Sequence, residues 1–542
     1  MTELETKVRV PFLWGKSVFK KSRWSQINLI VGPNGSGKTI LATELTKQFE
    51  ASGKSVKFIS AERDSDNISI LRDNEKIRTK TEKVLSEMFG KSITFIEDID
   101  GTFIPIVRNR AWNVEYMMED AECHGLQKII SLLINLYSST TDIVIFDEPE
   151  LHLHPQFQLF FMNEIRQEAK HHVNKLFFLI THSPFFIDLR TPEDLEGVIV
   201  CHINRPPTHI EELLREDEAL FKRFLPRFNT YHKQFFFSDN QIFVEGYTDQ
   251  QLFTYLLPYV ENKANIAGTS VIDVGGKDEL GVFCKVCSLI GTDARIITDL
   301  DSLFSGKLRD VVCRDERVEG WLEKQTEKQE AFFQKIFSAK ERAMPITLDK
   351  LIFRLERYIL AIGTEITETF WGPSTGSGTP DEHSRTTDVQ SGIKAGVPEA
   401  LEGHSHKFNP ETKLWLTKLA ALQTKHENAD AVDTYKTVLL QGILKNTEDL
   451  SKILSEPLAA TLPVIKNLSS LIFAAAESAR VYILHKGCIE HYYTRSVVNY
   501  MPVSGKDKLF REELDFIMDT RPKIVRKQYE PLIFLLEAAT SK

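Results

Sequence analysis

At 542 residues the chain is too long for one hydrophobic core, so several domains are expected. A hydrophobic content of 42%, a charged content of 26% and a net charge of −9 exclude a protein that coats nucleic acid over its whole surface, though not one with a local basic groove. The charged N-terminus, six irregularly spaced cysteines and no apolar run near the roughly 18–20 residues of a bilayer span set the expectation of a cytoplasmic chain without export signal, membrane segment or disulfide framework.

From about Lys7 to Arg190 short β-rich runs alternate with helical stretches, the pattern of a parallel sheet with crossover helices. The clearest strands are Gln26–Val31, Val56–Ile59, Asp142–Phe146 and Lys175–Ile180, each almost continuously apolar. The first runs into Gly32-Pro33-Asn34-Gly35-Ser36-Gly37-Lys38-Thr39, a phosphate-binding loop. Its glycines, Gly35 and Gly37 among them, let the backbone N–H groups around Asn34 turn toward phosphates, and the next helix offers its positive end. Lys38 is then expected to reach the β- and γ-phosphates of ATP, and the Thr39 hydroxyl to bind Mg²⁺.

The strand Ile143–Phe146 ends in Asp147-Glu148. There Asp147 suits the Mg²⁺ water shell and Glu148 the general base that polarises attacking water. Leu179-Ile180-Thr181-His182-Ser183 ends the following strand with a histidine suited to sensing the γ-phosphate.

A connector rich in Phe and Arg, Ala219–Phe237, leads to a second α/β stretch with strands Gln241–Val244, Ser270–Val274 and Ala294–Thr298. Cys284 and Cys287 form a lone C-x-x-C, read as core residues at i and i+3 of a helix rather than zinc ligands. Charged helical stretches follow, Glu323–Arg342 and Leu348–Thr364, then a polar segment, Gly372–Gly396, with the composition of a flexible loop. Helical patterns resume over Glu411–Ala479, before a short strand, Arg480–Leu484. Basic runs at Phe19–Arg23 and Arg521–Lys527 are either solvated faces or phosphate contacts.

The elements of the first half resemble the ATP-binding-cassette class of ATPase, in the branch shared by SMC-like and DNA-repair ATPases. Glu148-Pro149-Glu150-Leu151-His152-Leu153-His154-Pro155 is similar to that branch's stretch between the catalytic Glu and the dimer contact, which makes the His-x-His a dimer-interface loop. The class caps ATP across a dimer with a Ser-Gly-x-Gln-type signature. Its best match is Cys123-His124-Gly125-Leu126-Gln127, so His124, Gly125 and Gln127 would meet the partner's nucleotide, with His124 where serine is usual. The resemblance thus implies a homodimer, possible higher assembly, and altered hydrolysis.

Phe237-Ser238-Asp239-Asn240-Gln241-Ile242-Phe243-Val244-Glu245-Gly246-x-x-Asp249 resembles the opening of a TOPRIM domain, particularly in the overcoming-lysogenization-defect (OLD) family of nucleases, where the ATPase comes first. Glu245 at a strand end, Asp249 one helical turn on, and Asp299 with Asp301 at another strand end could share hard cations, Mg²⁺ or Mn²⁺, on a phosphodiester. Lys486-Gly487-x-x-Glu490 resembles the end of the family's TOPRIM region, with Glu490 on a second metal and Lys486 stabilising the pentavalent phosphate or protonating the leaving group. Lys277, after Gly275-Gly276, competes for that role, and Ser302 is a further second-metal ligand.

The resemblance covers 26–190, 235–302 and 480–493. It implies an α/β chain: an ABC-type ATPase domain over 1–233, a TOPRIM domain over 234–303 and 479–542, and a mostly helical insertion over 304–478. The implied function is an ATPase-coupled, metal-dependent endonuclease acting on DNA in anti-phage defence, sometimes beside a retron reverse transcriptase and its small DNA. The competing reading is an ATP-gated nucleic-acid sensor or scaffold whose TOPRIM-like domain binds without cutting.

Overall fold

Strands that are apolar throughout must be covered on both faces, and this decides which strands lie at the centre of each sheet. The computed structural model describes residues 2–60, 70–98, 103–109, 111–118, 124–138, 140–203, 205–238, 240–266, 268–371, 409–423, 429–494 and 500–541. They form two units, Met1–Gln241 with Val286–Thr292, and Ile242–Lys285 with Asp293–Lys542. The expected loop 372–396 lies outside the described residues.

The first unit holds β1 (Thr2–Val8), β2 (Phe19–Trp24), β3 (Ile27–Val31), β4 (Val56–Ser60), β5 (Ser92–Glu97), β6 (Phe103–Asn109), β7 (Val114–Met117), β8 (Ile143–Asp147), β9 (Leu176–Ile180), β10 (Val198–Val200) and β11 (Thr208–His209). Its main sheet runs β11-β10-β3-β9-β8-β4, parallel except for the edge strand β11. β8 and β9 are buried along their whole length, whereas β4, at the other edge, is half-buried throughout. Three of the four expected strands, β3, β8 and β9, lie inside this sheet, whereas the fourth, β4, is at its edge and only half-covered. The helix Lys38–Ala51 buries Leu41, Leu45 and Phe49, and Phe49 meets Trp24 and Phe178 at ring centroids 5.4 and 5.5 Å away. Each such side chain contributes about 1.5–3 kcal/mol by leaving water.

Two small antiparallel sheets, β1-β2 and β5-β6-β7, accompany it. The first changes the reading of the basic run Phe19–Arg23, which is β2. Lys21 faces inward, donates to the Glu196 carbonyl at 3.1 Å, and has its pKa lowered to about 8 by burial. Arg23 pairs with Glu212 at 3.2 Å. The run is a sheet strand and not a continuous phosphate-binding face.

The second unit holds β12 (Asn240–Val244), β13 (Thr269–Asp273), β14 (Ala294–Thr298) and β15 (Val481–Ile483), in the order β13-β12-β14-β15. β14 and β15 pair in parallel, Thr298 opposite Ile483, although 299–480 separates them in sequence. The charged helical stretch Glu323–Arg342 falls in three helices, Glu316–Lys328, Glu330–Ile336 and Ala339–Arg342. Ser338 caps the last through a reciprocal pairing with Glu341.

One stretch among the described residues, Glu456–Ser478, is long and apolar enough to cross a membrane by length and composition, contrary to the expectation of none. Half of its apolar window is buried within the unit, and the helix Leu462–Ser478 packs against β15 and the helix Leu348–Trp371.

Two helices of this unit, Pro410–Gln423 and Ala429–Lys445, pack with a glycine at their contact. A Cβ on Gly442 would overlap the indole of Trp415, which is fully buried and donates Nε1–H to the Val438 carbonyl at 2.8 Å. Gly442→Ala is therefore expected to lower unfolding free energy by about 1–3 kcal/mol, the usual cost of overpacking, read as a lower midpoint in urea titration. An unchanged midpoint would mean that the two helices do not approach this closely.

Candidate nucleotide and metal sites

In the first unit β9 lies between β3 and β8, so the loops after all three strands open at one sheet end. Gly32, Gly35 and Gly37 all have positive φ (141°, 77° and 82°), and a Cβ on Gly32 would overlap the Cys201 carbonyl. The Lys38 ammonium, whose pKa burial lowers, donates to the carbonyls of Gly32 and Pro33 at 3.0 and 2.9 Å. Thr39 Oγ1 donates to Asp147 Oδ1 at 3.3 Å, which joins the start of the helix to the end of β8.

Glu148 has φ 51° and donates its N–H to the Ile180 carbonyl at 2.9 Å. His182 Nε2 stands 3.6 Å from Glu148 Oε1, beyond hydrogen-bond range. Burial, then the Lys38 charge, lowers the His182 pKa to about 4, so at neutral pH this is no ion pair. The His182 N–H is held by Glu150 Oε1 at 2.6 Å. His154 caps the helix Pro155–His171, Nδ1 accepting from the Gln156 N–H. Asn34 belongs to the same loop. Cys123 lies outside the described residues, while Gly125 and Gln127 belong to the helix His124–Ser138.

In the second unit one acceptor oxygen each from Glu245, Asp299 and Asp301 lies within 4.8 Å of the others. Glu245 ends β12 and Asp299 follows β14 directly, so adjacent strands deliver both. Glu245 Oε1 accepts from Thr298 Oγ1 at 2.6 Å, the Asp299 N–H at 2.9 Å and Ser302 Oγ at 3.2 Å. Ser302, expected as a metal ligand, has its buried hydroxyl on Glu245 and Thr298. Asp249 Oδ2 accepts from the Gly246 N–H at 3.1 Å, closing the first turn of the helix Tyr247–Leu256.

These carboxyls resist ionising together. Burial, then Glu245 and Asp249, raises the Asp299 pKa well above the usual range. Burial, then Asp301, raises that of Glu245, and burial, then Glu245 and Glu490, brings Asp249 to about 7. An all-oxygen donor set with a surplus of negative charge fits a hard divalent cation, as does the buried Asp301 Oδ1, which has no hydrogen-bond partner among the described residues.

The cations at this site differ from expectation. Lys277 stands 3.3 Å from Asp301 Oδ2; burial is the largest single influence and opposes its charge, but Asp301, Glu245 and Asp278 together raise its pKa. Lys486 is exposed and lies over the Tyr492 ring at 4.6 Å, with no ion pair among the described residues. Its expected position is taken by a residue the sequence reading missed. Lys506 Nζ is 3.4 Å from the fully buried Glu490 and 4.0 Å from Asp299, and these charges outweigh burial to raise its pKa. Only the glycine before it, Gly505 at φ 69°, marks it in the sequence.

Fold and geometry together define a P-loop ATPase joined to a TOPRIM domain. A family model described as "Overcoming lysogenization defect protein-like, TOPRIM domain" matches residues 236–301. A second, an AAA domain described for AbiEii toxins of type IV toxin–antitoxin systems, matches 124–188. The chain is 28% identical over 165 residues to the OLD nuclease of Thermus scotoductus, covering 29% of this chain and 30% of that protein. It is 27% identical over 190 residues to endonuclease GajA of Bacillus cereus, covering 31% of this chain and 27% of that one. The matched region thus spans less than a third of the length of either relative. The SMC head domain from Thermotoga maritima aligns over 37% of this chain and 95% of that chain at 11% identity and a TM-score of 0.27. Residues 236–301 are thus similar to the TOPRIM domain of OLD-like proteins, and the two matched domains imply use of a nucleotide and a divalent metal.

The carboxyl cluster has a consequence for stability. Groups whose folded pKa is raised stabilise the fold at low pH and lose that contribution as pH rises, for Asp249 through about 7. In EDTA the thermal midpoint is expected to fall over this window, and Mg²⁺ or Mn²⁺ to restore it. Asp299→Asn should raise the midpoint in EDTA and blunt the response to metal, as read by scanning fluorimetry. An undiminished metal response in that variant would remove Asp299 from the cation site.

Proposed function

We propose that this protein is an ATPase-coupled, Mg²⁺- or Mn²⁺-dependent endonuclease that nicks or cleaves DNA in anti-phage defence. The observation that carries this reading is the convergence of Glu245, Asp299 and Asp301 within 4.8 Å. In it, Glu245, Asp299 and Asp301 hold one cation, with Asp249 and Glu490 near enough to hold a second. A bound divalent cation supplies Lewis-acid polarisation of the phosphodiester and a hydroxide nucleophile at neutral pH.

The chain's own residues do the rest. Thr298 and Ser302 fix Glu245 Oε1, so its carboxylate need not reorganise when charge develops. Lys277 and Lys506 stand at two edges of the acidic cluster, where an ammonium can hold a nonbridging phosphate oxygen or give a proton to the departing alkoxide. Lys506 thereby takes the role the sequence assigned to Lys486.

The ATPase reading rests on Lys38, Thr39, Asp147, Glu148 and His182 at one sheet end. Asn34, Gly35 and Gly37 line the phosphates, Glu148 activates water, and His182, neutral above about pH 4, meets the γ-phosphate as an uncharged donor. His124, Gly125 and Gln127 would cap the nucleotide of a second copy in a homodimer. The domain limits we propose are 1–233 for the ATPase, 234–303 with 479–542 for TOPRIM, and 304–478 for the insertion. A cytoplasmic setting suits cysteines that are free where described.

With Mg²⁺ or Mn²⁺ the purified protein is expected to convert supercoiled plasmid to nicked or linear DNA. Glu245→Ala and Asp299→Ala should each reduce this to background on an agarose gel, and cutting that survives both would remove the metal-site assignment. Separately, Glu148→Gln should lower ATP turnover by about 10²-fold or more while ATP still binds, as expected for loss of a general base. Lys38→Ala should lower binding itself. Turnover untouched by either substitution would sink the cassette reading.

A further inference from the structure

Lys486 leaves the acidic cluster but does not face open solvent alone. It lines a cavity of about 480 Å³ in the second unit, between the helices Ala429–Lys445 and Leu462–Ser478 and the turn after β15. Lys445 and Lys466 line it too, one from each helix, so three ammonium groups converge from three elements. The opposing charge on the wall is Glu477. Lys445 and Lys486 are each braced over an aromatic ring, Tyr500 at 5.0 Å and Tyr492 at 4.6 Å, which orders their side chains, and the Glu411 charge also acts on Lys445. Lys466 is exposed and makes no ion pair among the described residues.

The same wall carries a flat aromatic platform. The His485 imidazole stacks on Phe473 with centroids 4.2 Å apart and planes 15° from parallel. Phe473 is buried while His485 is exposed, so the pair presents a backed ring to the cavity. Converging ammonium groups beside a supported ring match a phosphate with a planar base attached, and the volume suits one nucleotide. Stacking of this kind requires an unpaired base.

The turn that carries Lys486 into this cavity carries Glu490 to the acidic cluster four positions later. It is clamped from both sides: the Leu300 N–H donates to the Gly487 carbonyl at 2.8 Å, and Gln441 Nε2 donates to the Lys486 carbonyl at 2.6 Å. The cavity and the acidic cluster thus share one turn of backbone.

From this we infer that the cavity lined by Lys445, Lys466, Lys486 and the His485–Phe473 pair binds a nucleotide of single-stranded DNA flanking the phosphodiester held at the acidic cluster. The inference rests on the nuclease reading for its choice of polymer. A free nucleotide offers the same chemistry and is the competing source.

The test is fluorescence anisotropy of a labelled oligothymidylate against the full chain in EDTA, where cutting cannot occur. Lys466→Glu, at an exposed position, should weaken binding several-fold. It should also flatten the plot of log affinity against log salt by about 0.7, the contribution of one phosphate on a single strand. His485→Ala should weaken binding with the salt slope unchanged, because it removes stacking and no charge. Affinity unmoved by both Lys466→Glu and His485→Ala, with unfolding midpoints at the wild-type value, would overturn the proposal. So would thymidine monophosphate displacing the oligonucleotide at an equal concentration, since that makes the ligand a free nucleotide. If the oligonucleotide binds with these dependences and plasmid is never cut, the cavity stands and the nuclease reading falls.

Discussion

Like charges held close together in a poorly solvated place are the constraint around which the second unit is arranged. Burial and neighbouring carboxylates raise the pKa values of Glu245 and Asp299 above the usual carboxylate range, in a cluster whose oxygens lie within 4.8 Å of one another. The surrounding structure answers that repulsion locally. Hydroxyls from Thr298 and Ser302 and one backbone N–H hold a single oxygen of Glu245, while Lys277 and Lys506 balance the cluster from opposite partners, Asp301 and Glu490. Glu245, Thr298, Asp299 and Asp301 stand at the ends of β12 and β14 or just beyond, whereas Lys277 and Lys506 reach the cluster from the starts of two helices.

The first unit solves the complementary problem. Its phosphate loop must gather donors rather than acceptors, and positive φ at Gly32, Gly35 and Gly37 is what allows successive N–H groups to face one way. Lys38 is half-withdrawn onto the loop's own carbonyls, and burial already weakens its hold on its proton. His182 is uncharged for the same reason. A triphosphate entering this site would meet a cation and a dipole array, with a neutral imidazole beside Glu148, so that the general base is not tied up in an ion pair.

Much of this could be read from the sequence, and the misses have physical causes. β3, β8 and β9 announce themselves because a strand covered on both faces is apolar throughout, and the residues that follow them inherit their positions. β1 and β2 do not: Lys20, Lys21 and Arg23 make β2 look like a solvated basic run, and only burial of the Lys21 stem against Trp24 reveals a strand. The acidic ligands were legible because each follows directly on a strand. Lys506 was not, since it reaches Glu490 and Asp299 from a separate helix start with no motif around it, and proximity in space leaves no trace in spacing. Lys486 failed for the opposite reason. It has the right neighbours in sequence, Gly487 and Glu490, but the turn that points Glu490 inward points Lys486 out.

That turn also gives the helical insertion a structural purpose. Gln441, on the helix Ala429–Lys445, donates to the Lys486 carbonyl and accepts from the Met501 N–H, so one side chain ties together the strands of chain on either side of Glu490. A Cβ on Gly487 would overlap Gln441 Nε2, which is why this residue, at φ 126°, must be glycine for the insertion to seat. The insertion separates β14 from β15 in sequence, yet it supplies the contact that fixes the turn after β15. The helix Ala429–Lys445 thus both braces the backbone that carries Glu490 and lines the basic cavity through Gln441 and Lys445.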